Sequence, residues 1–496
     1  MIGAIIAVIF CLSIFYFYFE RKQTYWQRRG IAGPQGSFLL GSLIDVWLAS
    51  IPRVLVLRNW TKQYGKIYGY REGQRQILVV SDLEMTSEIL MKKFDQFQSR
   101  MHFPFHRSND NPRTPITDAT GARWKRLRTL GSVGFTNANL KQVRETVEES
   151  ATGVIHYLEK NVMKEEINIL TCFQEFTLDI ICKVALGKKD VEMFNNPYLA
   201  LFVDIFINRI TNYLNVIPAA IPIVNGPFVA AFDFLGSRLN LSMWKLITDL
   251  EKTVAERKRD RDTGIESSSA DFIDIYLDAE VDASMSDIEG SRKMLQEEVV
   301  SQCMIMLLAG FDTTANSLAY AAHFLANHPD VQEKARKEIE RVCKGENIEY
   351  DSLAQLEYTH AVIRETLRHY PLASFVVARE CVEATEVCGI QFNKGDKVMT
   401  DTWSMHMDKE IWGEDAEEFR PERWLESSSR PRHAFQSFGE GPRMCIGMRL
   451  AIMEEKIMLA HLLKNYRICK SENTNPIELI GDLTVSPKQV MVRLER

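Results

Sequence analysis

One cysteine of this chain lies in a sequence context that suits a metal ligand. Cys445 lies in a glycine-rich segment, residues 438–447, directly before an amphipathic stretch that begins at Met448. The first turn of a helix offers unpaired backbone N–H groups and the positive end of the helix dipole, and both favour a thiolate over a thiol. A thiolate is a soft metal ligand, and the nearby Arg443 could pair with a carboxylate of a bound molecule. The glycines would let a flat ligand approach closely.

A second candidate is the segment from Ala309 to Thr314, which reads Ala-Gly-Phe-Asp-Thr-Thr. Gly310 costs roughly 1 kcal/mol in a helix interior, and polar residues interrupt an apolar run here. A plain core helix would avoid this arrangement, so Asp312 and Thr313 are candidates for function. The alternative is structural, with the threonine hydroxyls bonded back to carbonyls of their own helix.

The elements that must position these residues are mostly helical. Apolar residues recur at spacings of three and four in residues 142–164, 173–186, 242–259, 291–327, 331–343, 359–369 and 448–463. Strands are predicted at 76–80, in a hairpin within 389–399 that turns at Asn393-Lys-Gly395, and in a hairpin within 483–494 around Pro487. No internal repeat divides the chain. We therefore expect a single, mainly α domain with small β-sheets over residues 37–496.

The N-terminus predicts a membrane anchor. Residues 1–19 contain no charged side chain and are followed by Glu20, Arg21 and Lys22. A cleaved signal peptide would carry its positive charge before the apolar stretch, so this order predicts an uncleaved transmembrane signal-anchor over residues 1–19. The alternative, an apolar helix docked into the domain, would normally show a polar face. Residues 20–36, first basic and then rich in glycine and proline, predict a linker.

Residues 210–232 form a second uncharged stretch of spanning length. Pro218, Pro222 and Pro227 would break a spanning helix, which argues against a second membrane crossing. The stretch predicts an exposed apolar loop that rests on a bilayer or covers an apolar pocket, with plain core packing as the alternative.

Charge and cysteine spacing exclude several classes of protein. The chain has 60 basic and 66 acidic residues, a formal net charge of −6, which argues against a nucleic-acid binder that relies on bulk positive charge. Its 9 cysteines are scattered and contain no CxxC pair. This spacing argues against a disulfide framework and against a zinc site.

The loop around Cys445 resembles the haem-ligand signature of the cytochrome P-450 family, FxxGxRxCxG. All specified positions match: Phe438, Gly441, Arg443, Cys445 and Gly447. The resemblance implies a cytochrome P-450 fold that binds haem b (iron protoporphyrin IX), with Cys445 as the axial iron ligand and with Phe438 and Gly439 at the cofactor.

The family's other motifs occur in the expected order. Glu365-Thr-Leu-Arg368 matches ExxR, and the later Phe419-Arg-Pro-Glu-Arg423-Trp is similar to the family's PERF segment. The resemblance implies that Glu365, Arg368 and Arg423 form a structural cluster on the haem side of the core.

Two further resemblances concern the haem carboxylates and proton supply. Trp124 and Arg128 match the family's WxxxR, and Arg379 resembles a further arginine that meets a haem propionate, together with Arg443. The Ala309 segment matches the oxygen-activation motif, which implies that Thr313 hydrogen-bonds the oxygen and that Asp312 relays protons from solvent.

The resemblance is closest to the microsomal animal subgroup that contains xenobiotic and steroid hydroxylases and thromboxane synthase. It implies a monooxygenase that inserts one oxygen atom of O2 into a lipophilic xenobiotic, steroid or fatty acid. The chain has no GxGxxG nucleotide loop. Electrons would therefore come from NADPH through NADPH-cytochrome P-450 reductase, with cytochrome b5 as an additional candidate donor.

The resemblance also implies a place and a set of partners. The protein would be a single-pass protein of the endoplasmic reticulum membrane, with its catalytic domain in the cytosol and in contact with lipid. A basic patch for the electron donor is predicted at Lys125, Arg126, Arg430, Arg432 and Arg443. Substrate contacts are predicted in residues 101–120, 202–234, 303–314, 372–377 and 483–485, where Phe103, Phe105, Phe206, Phe228, Phe311 and Phe375 recur.

Two alternatives stay open at this point. One is a reductase-independent peroxide isomerase of the thromboxane-synthase kind. The intact Asp312–Thr313 pair argues against this alternative. The other is a catalytically silent protein that binds haem.

Overall fold

The structure is a computed structural model that describes residues 2–49, 51–102, 106–161, 166–188, 191–207, 216–264, 271–285, 292–373, 377–427, 430–481 and 484–496. Helices account for most of it, as the periodicity predicts. They are α1 Ile2–Gln23, α2 Leu43–Trp47, α3 Arg53–Tyr64, α4 Leu83–Ser87, α5 Gly121–Ser132, α6 Asn137–Asn161, α7 Ile169–Leu186, α8 Tyr198–Ile207, α9 Asn225–Arg238, α10 Ser242–Asp262, α11 Phe272–Asp278, α12 Gln296–Asn327, α13 Pro329–Val342, α14 Glu357–His369, α15 Thr402–His406, α16 Lys409–Trp412 and α17 Met448–Asn465.

Helix α12 runs through the centre of the largest hydrophobic core. Most of its side chains are buried, and it packs against α7 along much of its length. The helix begins at Gln296 rather than near 291, because Glu298 turns back to accept the backbone N–H of Leu295 at 2.9 Å and so fixes the first turn. Thr177 of α7 donates to the carbonyl of Phe311 at 2.9 Å, which ties the two helices together beside the Ala309 segment.

Three small sheets flank the helices. Their strands are β1 Ile67–Glu72, β2 Arg75–Val80, β3 Ser99–Arg100, β4 Ile167–Asn168, β5 Arg379–Glu380, β6 Thr385–Val387, β7 Ile390–Phe392, β8 Lys397–Thr400, β9 Arg467–Cys469 and β10 Met491–Glu495. The first sheet has the order β1-β2-β8-β5-β3, with β2 and β8 parallel and Ile77 opposite Lys397. The others are β4-β10-β9 and β6-β7. The first sheet thereby holds Arg379 in β5 and Arg100 in β3 opposite each other.

Both predicted hairpins are wrong in their pairing. Strands β6 and β7 pair through a tight turn at Cys388 and Gly389, whose φ angles of 46° and 78° are both positive. The segment Asn393-Lys-Gly395 instead leads β7 out of its hairpin and into β8, which pairs with β2 and β5. Likewise β10 pairs with the distant β4 and β9, and Pro487 forms an isolated bridge to Leu479.

Helix α1 is the N-terminal apolar helix that the sequence predicts. It has a mean hydropathy of 2.4 over an 18-residue window and no buried residue, and it continues through the charged residues to Gln23. By length and composition it is compatible with a membrane anchor. Within the segment predicted as a linker, Trp26 and Ile31 are buried against the first sheet. Gly69 makes room for the Trp26 indole, since a Cβ at this position would lie 2.2 Å from its Cγ.

The stretch predicted as an exposed apolar loop is helical where the structure describes it; residues 208–215 lie outside the described ranges. Residues 216–220 form a helical turn, Pro222–Val224 form a 3-10 turn, and α9 follows. Pro222 and Pro227 occupy first-turn positions, where a missing N–H costs nothing. The predicted exposure of apolar side chains does hold, and Ile223 is 87% exposed.

Candidate active site

The loop that carries Cys445 is closed by backbone contacts. The N–H of Cys445 donates to the carbonyl of Phe438 at 2.8 Å, and the chain then enters α17 at Met448. Gly441 has a φ of +71°, and a Cβ there would lie 2.2 Å from the carbonyl oxygen of Leu90. Glycine is therefore required at this position, because the loop packs directly on neighbouring backbone.

Cys445 is exposed as a residue. The protein around its sulfur nevertheless raises the pKa of the thiol by burial, in spite of opposing hydrogen bonds from the backbone N–H of Gly447 and Met448 and the charge of Arg128. The helix terminus thus supplies the predicted donors, but burial outweighs them. A soft metal ion would be needed to hold this sulfur as a thiolate. No cluster of three His, Cys, Asp or Glu side chains suited to a metal occurs among the described residues.

Four arginines gather around the loop without carboxylate partners. Arg379 and Arg443 are buried and Arg100 and Arg128 are half-buried. Burial and the charges of neighbouring arginines lower the pKa of Arg379 to about 9 and that of Arg443 to about 8. Asp118 supplies an opposing charge, but none of the four forms an ion pair with a carboxylate within the described ranges.

The donors of these arginines point instead to main-chain oxygens. Arg443 donates to the carbonyls of Gln98, Ile116 and Ala119, Arg128 to Met444 at 2.8 Å, and Arg379 to Val377 at 2.7 Å. Buried cations are normally neutralised. A ligand with two carboxylates would supply the missing charge, and the donor set fits the propionates of haem.

The other predicted cofactor residues border the same loop. Trp124 is buried, and the Arg443 guanidinium lies 4.4 Å from the centre of its ring. Phe438 is half-buried and packs on the main core. Gly439 has a φ of +74°, and a Cβ there would meet nothing closer than Met444 Cα at 3.9 Å, so its surface is open. A flat ligand could lie against this face.

The Ala309 segment opens the centre of α12. Ala309 is exposed although the residues before it, Met306 to Leu308, are buried. A Cβ on Gly310 would lie 2.9 Å from Cδ1 of Ile181 on α7, so this glycine allows the two helices to pack closely. The hydroxyl of Thr313 donates to the Ala309 carbonyl at 2.7 Å, which is the back-bonded arrangement of the structural alternative.

Asp312 lies in a buried polar network rather than at the surface. Its Oδ2 accepts hydrogen bonds from Asn316 Nδ2 at 2.8 Å, from Thr484 Oγ1 and from Ser486 Oγ at 3.3 Å. Burial raises the pKa of Asp312, and these hydrogen bonds oppose the shift. These contacts do not test the proton relay from solvent, which stays a prediction.

The Glu365 cluster is a fully buried ion network. Arg368 Nη2 and Arg423 Nε each donate to Glu365 Oε1 at 2.8 Å, and the side chains of all three have no exposed surface. Burial alone would raise the pKa of Glu365, but hydrogen bonds from His369 and Arg368 and the charge of Arg423 hold it below its usual range. Trp424 Nε1 also donates to Glu365 at 2.9 Å, a contact that the sequence did not indicate.

This cluster is connected to the cysteine loop. Arg368 Nη1 donates to the carbonyl of His406 at 2.8 Å, and His406 Nε2 accepts the backbone N–H of Gln436 at 3.0 Å, just before the loop. The cluster therefore fixes where the loop begins. The structural role predicted for Glu365, Arg368 and Arg423 is consistent with these contacts and stays a prediction.

Comparison with known proteins agrees with this geometry. The sequence model of the cytochrome P450 family matches residues 32–494. The chain belongs to the cytochrome P450 family. As a cytochrome P450, it is an oxidoreductase, a haem-thiolate monooxygenase, and the cofactor that its family implies is the haem that the arginines and Cys445 fit.

The relatives of this P450 include several proteins of Caenorhabditis elegans. It is 39% identical to cytochrome P450 cyp-13B1 over 507 residues and 40% identical to cytochrome P450 CYP13A2 over 515 residues, with 99% of both chains covered in each comparison. It is also 39% identical to cytochrome P450 CYP13A10, with 95% of each chain covered.

Two of the predicted surface cations of this P450 are not at its surface. Arg126 is buried and donates to Glu298 at 2.6 Å, and Arg443 is buried beneath Trp124. Both were predicted to lie on the surface patch that meets the electron donor. That prediction is wrong, because both guanidinium groups are buried in the interior. Lys125 and Arg432 are exposed, and Arg430 is half-buried with its guanidinium 4.4 Å from the centre of the Trp412 ring.

Sequence reasoning missed Arg100 and Ser486 of this P450 site, and it predicted Thr484 only within a substrate-contact segment, whereas Thr484 donates to Asp312. Arg100, Thr484 and Ser486 belong to no local motif, and their positions follow only from strand pairing and packing.

Three of the phenylalanines predicted to contact substrate, Phe103, Phe105 and Phe375, lie outside the described residues. Phe311 is buried, with its ring centre 5.2 Å from that of Phe202 and 6.1 Å from that of Phe206, so it packs in the core.

Proposed function

We propose that this P450 inserts one oxygen atom of O2 into a lipophilic substrate, a xenobiotic, steroid or fatty acid, with electrons from NADPH delivered by NADPH-cytochrome P-450 reductase. Each turnover would consume O2, two electrons and two protons, place one oxygen atom in the substrate and release the other as water. Cytochrome b5 is a second candidate donor.

The observation that carries this proposal is the exposed Cys445 beside four arginines that form no ion pair with a carboxylate of the described chain. A thiolate-ligated haem, when bound, supplies the cleavage of the O–O bond. The residues of the chain would do the rest. Cys445 would bind the iron, while Arg128, Arg379 and Arg443, with Trp124, would hold the propionates, and Arg100 would add charge.

The exposed position Ala309 in α12 is proposed to face the haem site. There Thr313 would present its hydroxyl to O2, which its bond to the Ala309 carbonyl orients, and Asp312 would supply protons. Burial raises the pKa of Asp312 and so favours its protonated form, the form that can donate a proton.

The surface supports a membrane-bound enzyme. Helix α1 would span the endoplasmic reticulum membrane once and leave the catalytic domain in the cytosol. The exposed apolar residues Ile217, Ile221, Ile223 and Leu239 would contact lipid, from which an apolar substrate could enter. Lys125 and Arg432 remain as exposed cations for an acidic face of the electron donor.

The test is reconstitution of the full-length haem protein with purified reductase in phospholipid vesicles under 18O2. A panel of steroids, fatty acids and apolar drugs would be screened for NADPH-dependent products that carry one 18O atom. Such a product supports the proposal. Turnover of a lipid hydroperoxide without reductase, and no labelled product with it, would establish a peroxide isomerase instead. Neither reaction would indicate a silent haem protein.

A further inference from the structure

The carboxyl of Asp312 is held by a short segment near the C-terminus of the chain. Thr484 and Ser486 lie more than 170 residues from Asp312 in sequence, but their hydroxyls both donate to its Oδ2. Asn316, one turn further along α12, donates to the same oxygen at 2.8 Å. All four side chains are buried, each with less than a tenth of its surface exposed.

These donors also lie close to one another, and the second N–H of Asn316 donates to Ser486 Oγ. The Thr484 and Ser486 hydroxyls have one proton each, so while both donate to Asp312 they do not bond to each other. Asn316 Nδ2 lies 2.9 Å from Ser486 Oγ, and the Thr484 and Ser486 hydroxyl oxygens are 2.9 Å apart. All three side chains therefore surround Oδ2 of Asp312, and none of them donates to Oδ1.

The backbone of the segment is fixed on three sides. The N–H of Val485 donates to the carbonyl of Leu372 at 2.7 Å, and the hydroxyl of Tyr320 on α12 donates to the carbonyl of Val485 at 2.9 Å. The carbonyl of Ser486 accepts the N–H of Ile480 at 2.9 Å. The two hydroxyls are thus held in place by main-chain contacts that do not involve Asp312.

The two oxygens of Asp312 differ as a result. Oδ2 accepts from three donors, whereas no described residue donates to Oδ1. A neutral carboxyl has one carbonyl oxygen, which accepts, and one hydroxyl oxygen, which donates. The carbonyl oxygen is the better acceptor, so the donors favour Oδ2 as the carbonyl and Oδ1 as the site of the proton.

We propose that Thr484 and Ser486 are positioning residues for Asp312, which together with Asn316 keep Oδ2 as the acceptor and so place the transferable proton on Oδ1. This inference rests on the proposed role of Asp312 as a proton carrier. During turnover the Oδ1–H bond breaks as the proton leaves toward reduced O2, and a proton from water restores it. The hydroxyls fix the orientation of the carboxyl and are not themselves consumed.

Infrared difference spectroscopy of the resting holoprotein tests the placement directly. Subtracting the spectrum of Asp312→Asn isolates the carboxylic-acid band of Asp312, which should shift in D2O because its proton exchanges. Each hydrogen bond to a carbonyl oxygen lowers its stretching frequency. Thr484→Val should therefore raise the frequency, and Thr484→Ser, which keeps the hydroxyl, should restore it. Thr402→Val is the matched control, since the buried Thr402 hydroxyl has no partner among described residues.

The fraction of electrons lost as peroxide provides a second measurement. With the haem spectrum intact, Thr484→Val should increase the peroxide yield per NADPH by about fivefold, the factor that one ordinary hydrogen bond is worth, and Thr484→Ser should not. Ser486→Ala should act in the same direction. An unshifted Asp312 band in Thr484→Val, or a shift as large in Thr484→Ser, would overturn the positioning role alone. Wild-type coupling in Asp312→Asn would overturn the proton role on which the inference rests.

Discussion

The chemistry of individual residues here depends on what surrounds them more than on their type. Arg100, Arg128, Arg379 and Arg443 are cations in the interior with carbonyl oxygens but no ion-paired carboxylate in the described chain. A buried charge of this kind is costly until a ligand neutralises it. The arrangement therefore favours binding of a dianion beside Cys445, and it explains why the protein tolerates four neighbouring positive charges.

His406 makes the stability of the region depend on pH. Burial, and then the charge of Arg368, lowers its pKa to about 3, while Glu365 opposes and His369 adds to the shift. An unfolded histidine titrates near 6.5. Below pH 6.5 the unfolded chain therefore binds a proton at His406, whereas the folded protein binds it only near pH 3. The stability that neutral His406 contributes is lost as the pH falls through this window.

His406→Gln should remove this dependence. A glutamine side chain does not titrate, but its amide can donate to the backbone carbonyl of Arg368, as His406 Nδ1 does, and can accept the backbone N–H of Gln436. Between pH 6.5 and 4 the free energy of unfolding in urea should fall with pH in both proteins. The slope for His406→Gln should be smaller than that of the wild type by about 1.4 kcal/mol per pH unit. Exposed His156, changed to Gln, is the matched control. Parallel curves for His406→Gln and the wild type would refute the assignment.

At the scale of elements, the contact between α7 and α12 determines how closely the Ala309 segment is held. Gly310→Ala would gain about 1 kcal/mol of helix propensity but push a methyl group to 2.9 Å from Cδ1 of Ile181, where overpacking costs about 1–3 kcal/mol. The net result is expected to lie between no change and a loss of about 2 kcal/mol, because Cδ1 is the end of a side chain that can shift.

Ile181→Val removes that Cδ1, so in this background Gly310→Ala should become neutral or stabilising. A double-mutant cycle measured by urea unfolding would detect the coupling. Equal effects of Gly310→Ala in both backgrounds would show that the methyl group does not meet Ile181.

The elements also show which features a sequence can predict. Helices α6, α7, α12, α13, α14 and α17 follow from local periodicity, since each carries its apolar stripe within one stretch of chain. Strand pairing did not follow: β8 pairs with β2 across more than 300 residues, and no local pattern near Asn393 indicates that partner. The same reason applies to the site. Cys445 and Glu365 belong to motifs, whereas Thr484 and Arg100 reach their positions only through long-range packing.

At the scale of the whole molecule, part of the segment predicted as a linker packs against the first sheet. Trp26 is 4% exposed and packs near Phe392, with ring centres 6.4 Å apart. Deleting residues 2–19 should weaken sedimentation with phospholipid vesicles and leave haem content and the urea midpoint unchanged. Residual binding is expected through Ile217, Ile221 and Ile223.

A deletion that extends through residue 29 should also lower the urea midpoint, because it removes the Trp26 ring from its site beside Gly69. Loss of a buried tryptophan side chain typically costs about 3–5 kcal/mol. Restoring residues 20–29 is the control. Haem loss on deletion of residues 2–19 alone would contradict this division of the molecule.

The central claim, that Cys445 ligates a haem iron as a thiolate, is tested most directly by the carbon monoxide difference spectrum of the dithionite-reduced full-length protein. We predict a strongly red-shifted Soret band for the wild type and for Cys388→Ala, a change at an exposed cysteine, and the loss of that band in Cys445→Ala. A histidine-like or absent signal in the wild type, or a retained red-shifted band in Cys445→Ala, would contradict the account.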